Sequence, residues 1–123
     1  MTREEKQLLL KDICGNLPYE TWVQYEGKEW LVTGYGHGRV SLLPSVFSSV
    51  GGPCPLVEEV RPYLRPMSSM TKAEKEEYEK MTAWGSFDWE MVDFYNEHHF
   101  DYRGLIPMGL ALEAPEGMYK AKQ

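Results

Sequence analysis

Residues 22–43 read WVQYEGKEWLVTGYGHGRVSLL, and this stretch decides the fold. It contains three runs rich in aromatic and β-branched residues, which are typical of strands. The runs are Trp22–Tyr25, Trp30–Thr33 and Val40–Leu43, and Glu26–Lys28 is typical of a tight turn. Because gaps this short join neighbouring strands, the stretch predicts antiparallel hairpins.

The glycine-rich segment Gly34–Gly38 lies inside this stretch and has some likeness to a phosphate-binding loop. A phosphate loop leads from a strand into a helix, whose N-terminus meets the phosphate. Here a strand follows, so the segment predicts a hairpin turn. Beyond the hairpins, residues 44–55 (PSVFSSVGGPCP) predict a surface loop, and Leu56–Val60 predicts a fourth strand.

Helical patterns lie on both sides of the predicted sheet region. Thr2 with Glu5, and Thr71 with Glu74, have the spacing of a capping box, in which two side chains satisfy backbone N–H groups of the first turn. The first helix is predicted over residues 2–14, with Gly15 as its stop. In the later helical region an apolar stripe is predicted to face the core, formed by Phe87, Met91, Phe94, Tyr95 and His98.

Together these patterns predict one α+β domain over residues 1–123. Its parts are a helix over 2–14, a sheet region over 20–60, a helical region over 71–100 and an extended tail over 105–123. The expected sheet is small and antiparallel, with an SH3-like, barrel-like form as one version. An N-terminal helix and two C-terminal helices are expected to pack on it.

Composition excludes some classes of function. With 13 Lys and Arg against 19 Asp and Glu, the formal net charge is −6, which repels a phosphate backbone and disfavours double-stranded nucleic acid as a partner. No run approaches the roughly 18 apolar residues of a membrane span. The opening MTREEKQLLLKDI is charged where an export signal is apolar, so we expect a cytoplasmic protein with reduced thiols at Cys14 and Cys54.

The segment RPYLRPMSSMT, residues 61–71, predicts a candidate interaction surface. Its two prolines stiffen the backbone, so side chains displayed there would lose little entropy on binding. Arginine and tyrosine are common hot-spot residues, and Trp89 could anchor a second docking face on the helix of residues 84–101. The interaction candidates are therefore Arg61, Tyr63, Arg65 and Trp89. The alternative is that the tyrosine is buried against the sheet and the arginines pair with acidic helices.

One cluster of residues has metal-ligand chemistry: Asp93, Glu97, His98, His99 and Asp101. The first two share a helix face and could offer oxygens to a hard cation such as Mg²⁺. Adjacent histidines on a helix point about 100° apart, and the spacing matches no standard zinc motif. A solvated acidic face is the alternative. We expect no cofactor, and no group of residues predicts a catalytic site.

Two long blocks, PYLRPMSSMT from residue 62 and HFDYRGLI from residue 99, resemble a known family, as does the segment GLALEAPEGMY that follows. They are similar to an uncharacterised family of short proteins that recur in gut Bacteroidetes and their phages or prophages. The start of the chain, LLLKDIC with LPY, is similar to the start of those proteins. The resemblance implies a mobile-element setting and no particular mechanism.

The sequence thus favours a non-enzymatic protein-interaction module of a phage or prophage, with an unidentified protein partner. One alternative is a small metal-dependent hydrolase or nuclease that uses the Asp/Glu/His cluster. A second is a single-stranded nucleic-acid binder that uses aromatic strand residues. The sequence leaves the oligomeric state open.

Overall fold

The computed structural model describes residues 1–45, 51–85 and 88–119. Within these ranges it has three α-helices, which are α1 (Arg3–Asn16), α2 (Lys72–Ala83) and α3 (Asp88–Glu97). It also has five strands, which are β1 (Trp22–Tyr25), β2 (Lys28–Gly36), β3 (Arg39–Leu43), β4 (Arg61–Leu64) and β5 (Leu112–Glu113). Single 3₁₀ turns cover Val57–Glu59 and Met67–Ser69.

The five strands form one sheet in the order β3-β2-β1-β4-β5, which confirms the predicted α+β class. Strands β1 to β4 pair antiparallel, whereas β5 runs parallel to β4. The sheet is therefore mixed rather than wholly antiparallel. The reason is the long connection through α2 and α3, since parallel neighbours need a crossover that a hairpin cannot supply.

Both hairpin turns of the β1–β3 stretch use a pair of residues in the left-handed region. Glu26 and Gly27 have φ of 51° and 75°, and His37 and Gly38 have φ of 53° and 74°. Two consecutive positive φ values are the mark of type I′ turns, whose twist suits two-residue hairpins. A hairpin turn lies within the predicted segment Gly34–Gly38, but it is confined to His37 and Gly38, because β2 continues to Gly36 and β3 begins at Arg39.

The fourth strand lies later in the chain than predicted. The predicted strand over Leu56–Val60 is instead a 3₁₀ turn, in which the Glu59 carboxylate accepts a hydrogen bond from Leu56 N at 2.8 Å. Strand β4 follows at Arg61–Leu64, where Arg61 is held extended because it precedes a proline. A side-chain hydrogen bond and a proline therefore override the apolar run.

One continuous segment contacts both edges of the β1–β3 unit. Its residues 53–57 run along the outer edge of β3, where Val40 N donates to Pro55 O at 2.9 Å and Leu42 N donates to Pro53 O at 3.1 Å. Its continuation, β4, pairs with β1 on the opposite edge. The arrangement of this segment around the sheet is barrel-like. Residues 46–50 of the predicted surface loop lie outside the described residues.

Helix α1 continues past its predicted stop and ends at Asn16, so Gly15 lies in its last turn. The glycine has a packing role there, since a Cβ at Gly15 would lie 3.1 Å from Asn96 Nδ2 of α3. The predicted capping boxes of Thr2 and Thr71 are both confirmed. Within the predicted stripe, Phe94 is buried, and Phe87 lies outside the described residues.

Among the described residues, the core consists of two apolar clusters. The first joins α1 to the sheet and contains Leu9, Ile13, Val23, Val32, Val40, Leu42, Val57 and Val60. The second lies between β4 and the C-terminal segment and contains Leu64, Leu105, Leu110 and Ala111. Burial of these side chains holds the N-terminal and C-terminal parts of the chain on one sheet.

We predict that Leu9→Ala lowers the free energy of unfolding by about 2–5 kcal/mol, because it leaves a cavity between α1 and the sheet. Leu10→Ala on the same helix is the control, since Leu10 is only half-buried and loses less apolar contact. Urea unfolding of both variants measures the difference. Equal losses would contradict the assignment of the buried face of α1.

Candidate functional site

A buried ion pair joins β4 to α2. Arg65 follows β4, and Glu74 is the third residue of α2. Their contact is bidentate, with Arg65 Nη2 donating to Glu74 Oε1 at 2.7 Å and Arg65 Nη1 donating to Oε2 at 2.8 Å. The Glu74 side chain is fully buried and Arg65 is 7% exposed. Because charges taken out of water are costly, such a pair persists only with nearly complete hydrogen bonding.

The surroundings of this pair supply that bonding. Glu74 Oε1 also accepts from Thr71 N at 2.8 Å, so one carboxylate caps α2 and neutralises the arginine. Its Oε2 lies 3.1 Å from His98 Nδ1, and Arg65 Nη2 donates to Ser69 O at 3.1 Å. The guanidinium carbon lies 4.5 Å from the centre of the Phe100 ring, a cation–π contact. The cluster therefore ties β4, the start of α2 and the segment after α3 together.

The ion cluster around Arg65 and Glu74 bears on whether the interaction candidates predicted in RPYLRPMSSMT are exposed. Tyr63 and Arg65 are each only 7% exposed, so neither side chain is displayed to a partner. Arg61 is half-buried, and its Nη1 donates to Glu58 O and Val60 O, both at 2.8 Å. The prediction that Arg61, Tyr63 and Arg65 display their side chains to a partner is therefore wrong for Tyr63 and Arg65. The alternative, burial of the tyrosine and pairing of Arg65 with an acidic helix, is what the structure has.

The candidate metal ligands separate into different environments. Asp93 and Glu97 are exposed on α3, whereas His98 faces the buried Glu74. Asp101 is nine-tenths buried, and its carboxylate accepts from Leu105 N at 2.7 Å and Ile106 N at 3.0 Å. Within residues 1–45, 51–85 and 88–119, no three His, Cys, Asp or Glu side chains could hold a metal ion. Because the chain turns after α3, these side chains lie in different environments and do not form the predicted cluster.

His99 differs from the other candidates because it is buried beside the C-terminal segment. Its backbone φ is 59°, in the left-handed region, and its ring stacks on Tyr119 with centroids 3.8 Å apart. Tyr119 Oη donates to Tyr63 O at 2.9 Å and accepts from Trp22 N at 3.0 Å. Tyr119 therefore fixes the C-terminal segment to both β1 and β4. No periodic pattern indicates this role of Tyr119, which lies in the predicted extended tail.

A cleft opens beside this stack. It has a volume of about 470 Å³ and is lined by Tyr19, Glu20, Glu97, His99, Gly117, Met118 and Tyr119. Burial, followed by the charge of Arg65, lowers the pKa of His99 to about 4, so its imidazole is neutral near pH 7. His99 Nδ1 is buried and has no hydrogen-bond partner in the described part of the chain. Burial and the charges of Asp93 and Glu97 raise the pKa of Tyr19, which places negative potential at this cleft.

A second, partly buried ion pair joins α1 to the segment after α3. Arg103 Nη1 donates to Asp12 Oδ1 at 2.9 Å, and the guanidinium carbon lies 4.4 Å from the centre of the Tyr102 ring. Burial raises the pKa of Asp12 to about 6, although Arg103 opposes the shift. Its other oxygen, Oδ2, is buried and lacks a partner among the described residues. This pair holds α1 against the same segment that contributes His99.

Two tryptophans lie on the outside of the helical half. Trp84, at the end of α2, is 86% exposed, and Trp89, in the first turn of α3, is 64% exposed. Val92, one turn later, is also exposed. We call Trp84, Trp89 and Val92 the tryptophan surface. Of the predicted interaction candidates, the structure thus leaves Trp89 on the outside.

Comparisons with known proteins add no relative: no family model matches this chain, and no curated protein or solved structure shows a significant match.

Both cysteines are free thiols, with Cys54 exposed and Cys14 half-buried. Among the described residues, no helix has the length and apolar character that crossing a lipid bilayer requires.

We predict that Glu74→Gln lowers the free energy of unfolding by about 3–5 kcal/mol, because it leaves the buried Arg65 charge without its counter-ion. Glu76→Gln, an exposed change on the same helix, is the matched control and should change stability by less than about 0.5 kcal/mol. Urea unfolding measures both. Small and equal effects would show that the pair does not hold the fold.

The low pKa of His99 predicts a pH effect with a definite sign. Between about pH 6.5 and pH 4 the unfolded chain binds a proton at this position while the folded chain does not, so this group's contribution to stability is lost as pH falls. Asp12 acts in the opposite direction. Its pKa is raised from 3.8 to about 6, so the folded chain binds that proton first and gains stability as pH falls through this range.

We therefore predict opposite pH profiles for two variants. His99→Asn, which tolerates a positive φ, should gain stability relative to the wild type between about pH 7 and pH 4.5. Asp12→Asn should lose it over the same range. Urea unfolding at several pH values measures both slopes, and parallel slopes for the two variants and the wild type would refute the assignment.

Proposed function

We propose that this chain is a non-enzymatic protein-interaction module that docks through the tryptophan surface. The observation that carries the proposal is the exposure of two tryptophan side chains, Trp84 at the end of α2 and Trp89 in the first turn of α3. Exposed tryptophan is costly in water and is enriched among interface hot spots. The proposed setting is the cytoplasm of a bacterium that carries a phage or prophage, which rests on the family resemblance.

Charge specifies the chemistry of the proposed partner. Residues 72–97 carry eight carboxylates and three lysines, which accounts for most of the net charge of −6. Glu76 and Glu79 are exposed near Trp84, with which they line one shallow surface recess, and Asp88 and Asp93 are exposed on α3 around Trp89. The partner that fits is a protein with an apolar recess rimmed by lysine and arginine, because opposite charges steer the encounter and suppress wrong partners.

The alternatives receive less support from the described residues. The metal-dependent hydrolase needs its carboxylates and histidines to converge, and they lie in separate environments. The single-stranded nucleic-acid binder needs free aromatic faces on the strands. Trp30, however, packs against the first core cluster, and its Nε1 donates to Tyr25 O at 3.2 Å.

We predict that Trp84→Ala and Trp89→Ala each weaken partner binding by at least about tenfold, because each removes a large apolar anchor. The full chain is immobilised, incubated with bacterial lysate, and the retained proteins are identified by mass spectrometry. Affinity for a retained protein is then measured by calorimetry at low and high salt. Binding should weaken with salt because the two surfaces have opposite charge.

The matched control is Tyr35→Ala, which removes another exposed aromatic side chain from the distant β2 strand. This variant should bind like the wild type. The proposal fails if the tryptophan variants bind as tightly as the wild type, or if Tyr35→Ala weakens binding as much as they do.

A further inference from the structure

The cleft beside His99 is lined by residues that have no part in the proposed docking through the tryptophan surface. Three of its seven lining residues carry aromatic or imidazole rings, namely Tyr19, His99 and Tyr119. Two others, Glu20 and Glu97, carry exposed carboxylates. At about 470 Å³, the cleft falls within the size range of small-molecule sites. Rings and carboxylates together are the groups that recognise an organic cation.

The rings are held in fixed positions, so the cleft is formed before a ligand arrives. His99 and Tyr119 are stacked with an interplanar angle of 13°, and Tyr19 meets His99 edge-on at 88°. Tyr119 is fixed further by its hydrogen bonds to Tyr63 and Trp22. A rigid aromatic wall loses little entropy on binding, which favours even a small ligand.

The electrostatics of the cleft favour a positive ligand. The His99 ring is neutral near pH 7 and therefore does not repel a cation. The guanidinium of Arg65, whose charge contributes to the low pKa of His99, is held in a bidentate contact with Glu74, which offsets part of its repulsion of a cation. The charges of Asp93 and Glu97 reach Tyr19 at the edge of the cleft.

We propose that this cleft binds a guanidinium group, with the rings of Tyr19, His99 and Tyr119 as its wall and Glu97 and Glu20 as its charge partners. A guanidinium is flat, stacks on aromatic faces and offers a fork of N–H donors that matches a carboxylate. The site is independent of the tryptophan surface and lies at the opposite end of α3.

The test compares two ligands of the same shape. Methylguanidinium and its neutral isostere methylurea are titrated into the full chain, and NMR follows the ring protons of His99 and Tyr119. We expect saturable shifts with methylguanidinium, with a dissociation constant on the order of 1 mM, and binding of methylurea at least about tenfold weaker. Equal binding of the two ligands, or no saturable shift at these rings, would overturn the proposal.

Matched variants locate the site. Glu97→Gln should weaken methylguanidinium binding severalfold, whereas Asp88→Asn, an exposed change at the first residue of α3, should leave the dissociation constant nearly unchanged. The reverse pattern, or no effect of Glu97→Gln, would also overturn the proposal. The tripeptide Gly-Arg-Gly then distinguishes the source of the group. Tighter binding than methylguanidinium indicates an arginine within a polypeptide, and weaker binding indicates a free guanidinium compound.

Discussion

The bidentate contact between Arg65 and Glu74 is the constraint on which the rest of the structure depends. It joins the end of β4 to the first turn of α2, and Glu74 caps that helix with the same carboxylate. His98 and Phe100 complete the environment from the segment that follows α3. Charges this deeply buried are tolerated because almost every donor and acceptor is satisfied. The helical half of the molecule is therefore positioned by an ion cluster as well as by apolar packing.

This constraint separates the residues that hold the fold from those available for binding. The distinctive segment RPYLRPMSSMT contributes its tyrosine and one arginine to the interior, and the segment after α3 contributes Arg103 to a second, partly buried ion pair. Two outer features of the described residues lie at opposite ends of α3. One is the tryptophan surface, and the other is the cleft with its aromatic wall. Both carry carboxylates at their edges, so both are suited to positively charged ligands.

Local signals in the sequence were sufficient for the helices and hairpins. The capping boxes at Thr2 and Thr71 and the turn residues at Gly27 and Gly38 act over three or four residues, and all appear as predicted. The site was harder to predict because it depends on long-range contacts. The sequence pattern indicates Glu74 as a capping residue. Its contact with Arg65, however, depends on how the 3₁₀ turn at Met67–Ser69 folds the chain back. The stack of His99 on Tyr119 joins residues 20 positions apart without any periodic pattern, and the pairing of β5 with β4 is likewise non-local.

A double-mutant cycle on the buried pair tests the central claim most directly. Arg65→Met, Glu74→Met and the double variant are compared with the wild type by urea unfolding. Because each single change leaves one charge buried alone, the double variant should be less destabilised than the sum of the two, with a coupling of about 2 kcal/mol or more. Additive losses, with no coupling between the two positions, would contradict the claim that this ion pair positions the helical half on the sheet.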